Sequence, residues 1–62
     1  MDYNAIWETI KTKVDKATLY YADTLSHRDI HMLVTTADNN GVDAAAVELE
    51  TWADAELEKL NS

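Results

Sequence analysis

The chain contains no proline and a single glycine, Gly41. These two residue types are the strongest interrupters of regular structure. Without them a chain can run long helices unbroken. Alanine, glutamate and lysine, which favour helix over strand, are abundant. Hydrophobic residues make up 47% of the chain, a level normal for a folded domain and too high for a disordered one. At 62 residues it forms one domain spanning 1–62. A core that small is marginal, and such domains commonly gain support from oligomerisation or very regular helix packing. Disulfides are excluded, because there is no cysteine.

Three segments combine a start signal with an apolar face, so the expected fold is all-α, a small three-helix bundle with helices over about 3–24, 27–39 and 44–60. In the first, Tyr3, Trp7, Ile10, Val14, Ala17 and Tyr21 recur at steps of four and three, which places them on one helical stripe. Ile6 and Leu25 widen it. Asp2 is its expected N-cap, with Met1 and Ile6 at hydrophobic-staple positions. The second begins at Ser26, a good N-cap followed three residues later by Asp29, with Leu25 and Ile30 at the staple positions. Ile30, Leu33, Val34 and Ala37 form its buried face. Asn39-Asn40-Gly41 closes it. The third is expected to be capped by Asp43 and stapled by Val42 and Val47. Its core face is Val42, Ala46, Leu49, Ala53, Leu57 and Leu60, flanked by Ala45 and Trp52. Tyr3, Trp7, Tyr21 and Trp52 are expected to supply most of the large core volume. Only Ser26 forces a break between the first two helices. If they are continuous, the alternative is a helical hairpin that must dimerise.

Charge is the most informative functional feature. Twelve acids oppose five bases, giving a formal charge of −7. Such a chain repels nucleic-acid backbones and anionic membranes and attracts basic partners. The acidity is concentrated after Asp38. In the third helix Glu50, Asp54 and Glu58 follow at four-residue intervals, Asp43 extends the same side, and Glu48 lies on the other flank. Neighbouring carboxylates in the row stand ~6 Å apart along the axis, close to the phosphate spacing of a DNA strand. Like charges so placed cost about a few tenths of a kcal/mol per pair, and Lys59 is the single base in the helix. The row serves either as a docking face for a basic surface, including one that normally holds nucleic acid, or as a solvated face that maintains solubility.

Two weaker features remain. His27 and His31 are four apart, a two-ligand fragment of a metal site, with Asp23 as a distant third candidate. A zinc-protease helix needs Glu directly after the first His, and here Arg28 stands there. No metal or other cofactor is therefore expected. Leu19, Tyr20 and Met32 fall off the core faces and are candidates for self-association as a homo-oligomer.

Enzymatic function is not expected. A lone glycine cannot build a phosphate loop, there is no cysteine nucleophile, and neither Ser26 nor Ser62 has a convincing His–carboxylate relay. A helix-turn-helix reading would make the most acidic helix the DNA reader, which phosphate repulsion opposes. The bases Lys11, Lys13 and Lys16 alternate with Asp15 and make a poor backbone track. The N-terminus lacks signal-peptide character, and no apolar run is long enough for a membrane span, so a cytoplasmic location is expected. The leading expectation is a small acidic protein-interaction module. By analogy of size and charge alone, and not by resemblance to any family, the finer expectation is a phage or mobile-element inhibitor that mimics DNA and occupies a nucleic-acid-binding site. The alternative is an assembly subunit of a complex or virion with an apolar interface, and the third is a metal-binding helical protein.

Overall fold

The computed structural model describes residues 2–61 as four α-helices: α1 (Tyr3–Thr12), α2 (Lys16–Ala22), α3 (His27–Asn40) and α4 (Val42–Asn61). The all-α class is as expected. The three-helix count is not, because the first expected helix is two. The turn comes after Thr12, where Lys13 donates its backbone N–H to the Ile10 carbonyl. Asp15 then caps a new helix by accepting from the Thr18 amide at 2.9 Å. A carboxylate at that position satisfies an amide that the helix start leaves without a partner. The chain breaks again at Asp23–Ser26, so the continuous-helix hairpin is ruled out as well.

The other start signals act largely as expected. Asp2 accepts from the Ala5 amide at 3.2 Å, while the proposed Met1–Ile6 staple lies outside the described residues. Ser26 accepts from the Asp29 amide at 3.3 Å, and its hydroxyl donates to the Asp29 carboxylate at 3.1 Å. Asp43 is not a cap. α4 starts two residues earlier than expected, at Val42, and Asp43 sits in its first turn. The expected staple with Val47 also fails, since Val47 points outward and is exposed. Gly41 donates its N–H to the Ala37 carbonyl and has φ 98° and ψ 156°. That conformation lies outside the left-handed helical well, in a region only glycine enters readily.

Gly41 alone separates α3 from α4. Laid end to end the two would span ~51 Å, but the longest extent of the molecule is 39 Å. The chain therefore folds back at Gly41, and α3 packs along α4. α1 packs against both, and α2 against α4. The core is Ile10, Ala22, Leu33, Val34, Ala37, Ala45 and Leu49, with Ala46 and Ala53 also buried on α4. Its largest fully buried side chains are Ile10, Leu33, Leu49 and Val34. Tyr3, Trp7, Tyr21 and Trp52 pack around this centre half-buried, so they do not supply the bulk of its interior as expected. Ala17 is exposed.

The lengths of the last two helices decide where the core stops. α3 has 14 residues and α4 has 20, or ~21 Å against ~30 Å. Folding back at Gly41, α3 covers α4 to about Ala55 by residue count. Leu57 and Leu60 lie beyond it, and they are 46% and 75% exposed rather than core residues.

Candidate functional site: the outer face of α4

Ala45, Ala46, Leu49 and Ala53 anchor α4 to the bundle. At about 100° of rotation per residue, these four occupy an arc of about 100°. Asp43, Glu50, Asp54 and Glu58 fall together on a separate arc of about 80° that faces away from the core. All four are exposed. Glu48 is also exposed but is rotated about 120° from Asp54. It lines a different concavity with Met32 and Trp52. The structure thus groups four of the five acids singled out from the sequence and sets Glu48 apart.

The ion pairs refine the row. Asp43 is met by Lys13 at 3.3 Å, which ties the turn after α1 to the start of α4. Lys59 stands 3.9 Å from Glu56, one turn away on the same helix. Lys11 pairs with Glu8 at 3.0 Å and lies 5.7 Å from the Trp7 ring centroid. Lys11 and Lys13 are therefore engaged locally and do not form a basic track. Val47, 64% exposed, projects among Asp43, Glu50 and Asp54 by helical position. Its place in the acidic face was hidden in the sequence by its apparent staple role.

The histidines have a different environment. The Tyr3 ring packs against both, at centroid distances of 5.9 Å to His27 and 6.1 Å to His31. No group of three or more His, Cys, Asp or Glu that could hold a metal ion occurs among the described residues. Asp23 lines concavities with Leu19 on α2 instead.

The off-core apolar residues do not share one concavity. Leu19 is half-buried and Tyr20 is 78% exposed, and both line a hollow with Lys16 and Asp23. Met32, 51% exposed, lines the α3–α4 concavity instead. Tyr20 also reaches a third groove, between α2 and α4, that contains Leu57 and Leu60. The sequence pattern had assigned those two leucines to the core.

No helix among the described residues is long and apolar enough to cross a membrane. Comparison with protein-family models, with curated proteins and with solved structures finds no match.

Proposed function

We propose that this protein is a non-enzymatic interaction module that binds a basic protein surface through the outer face of α4. The observation that carries this reading is the alignment of Asp43, Glu50, Asp54 and Glu58 along one exposed side of a core-anchored helix. A rigid element holds charges in fixed register, which favours specific docking over diffuse attraction. The finer reading is an inhibitor of cytoplasmic, phage-type character that occupies a nucleic-acid-binding site. Within the acidic row Glu50, Asp54 and Glu58, at ~6 Å intervals, present negative charge where such a site expects phosphate.

The test is charge reversal. Replacing Glu50, Asp54 and Glu58 together by Lys is expected to abolish capture of the partner and leave the helical circular dichroism intact. All three side chains are exposed, so the fold does not depend on burying them. Capture that survives the reversal sinks the reading.

A second reading, an assembly subunit, is favoured by the exposure of Tyr20 and of the α4 leucines. A concentration-dependent melting temperature with little response to salt would support it over the acidic face.

A further inference from the structure

The groove between α2 and the overhanging end of α4 is lined by Ala17, Tyr20 and Tyr21 on one side and by Ala53, Leu57 and Leu60 on the other. It measures about 410 Å³ and is partly open to solvent. Small-molecule sites enclose most of their ligand's surface, and this groove does not. From Ala53 to Leu60 its α4 wall runs ~10 Å, the span of apolar anchors at i, i+3 and i+7 of a helix.

The charged groups around the groove determine which helix would fit. Glu56 lines it directly. On the helical wheel the Ala53–Leu57–Leu60 stripe lies between Glu56 and the Glu50–Asp54–Glu58 row. The single base on this part of α4, Lys59, lies on the far side of Glu56 from the stripe. The Tyr21 hydroxyl senses the same field. Burial first, then the carboxylates of Glu56 and Asp29, push it above its ordinary value. Lys16 and Asp23 line the neighbouring hollow beside Leu19 and Tyr20, and no base among the described residues lines this groove itself. A second copy of this chain would bring a further charge of −7 to the same place.

We propose that this groove receives an amphipathic helix of a basic partner, its apolar side on Leu57 and Leu60 and its Lys or Arg side chains over the α4 carboxylates. The proposal rests on the acidic-face reading for the partner's charge, and it adds the apolar half of the contact.

Two synthetic peptides of about 15 residues, long enough for marginal helicity, test it against the full chain. One carries leucines at i, i+3 and i+7 among lysines. The other has the same composition scrambled. NMR titration of the wild-type protein with the amphipathic peptide is expected to move Tyr20, Ala53, Leu57 and Leu60. The scrambled peptide should bind about tenfold more weakly, and the Leu57→Ser, Leu60→Ser double variant should lose about tenfold for the amphipathic one. The Glu50, Asp54 and Glu58 reversal should weaken both. Equal binding of the two peptides, or shifts confined to the acidic row, overturns the groove while the acidic-face reading stands. If serine substitution weakens binding but charge reversal does not, the acidic-face reading fails and the partner's basic character goes with it. A wild-type dimer in sedimentation that the serine variant abolishes makes a second copy the occupant, and the proposal is then wrong.

Discussion

Three side-chain caps set where α1, α2 and α3 begin: Asp2, Asp15 and Ser26. Asp2 and Ser26 are legible in the sequence because each stands directly before a new apolar pattern. Asp15 is not, because it interrupts a stripe that continues in phase through Val14, Ala17 and Tyr21. The Thr18 amide first, then the Thr18 hydroxyl, hold the Asp15 carboxyl below its ordinary value. A depressed value means the fold favours the ionised form. The contribution to stability is therefore complete above the ordinary carboxylate value and is lost as pH falls through the lowered one. Asp15→Asn keeps an acceptor for the cap but cannot titrate. The gap between wild type and this variant in urea midpoint should shrink on going from pH 7 to about pH 2.5. A gap that ignores pH would detach the cap from its charge.

At the scale of elements, α4 is two structures in one helix. Its first part is fixed by Ala45, Leu49 and Ala53, and its last turns overhang α3 and carry Leu57 and Leu60 outward. Helical periodicity assigns all five to one face and cannot separate them. The division depends on the length of α3, a relation between elements rather than a property of either one. Leu49→Ala empties a fully buried site and should cost about 2–5 kcal/mol, enough to leave a domain this small largely unfolded. Leu60→Ala removes an exposed side chain and should stay within about 0.5 kcal/mol. Chemical denaturation of both variants checks this, and similar losses would mean that the end of α4 is packed.

Across the whole molecule, charge and apolar surface coincide on α4. The acidic row was legible because four-residue spacing fixes a shared face whatever the tertiary arrangement. The groove beside it was not, since it needs α2 to be a separate helix placed against α4, and no glycine or proline marks that break. The outer side of α4 is exposed at Asp43, Val47, Glu50, Asp54 and Glu58. Contacts made there between exposed charges are screened over about 10 Å at 0.1 M salt and about 3 Å at 1 M. The most direct test of the acidic face is therefore affinity capture from cell lysate at about 0.1 M and about 1 M salt, with mass identification, for wild type beside the Glu50, Asp54 and Glu58 reversal. The account predicts a basic partner retained by wild type at low salt, released at high salt, and never retained by the reversed protein. A partner held equally at both salt concentrations and by both proteins would contradict it.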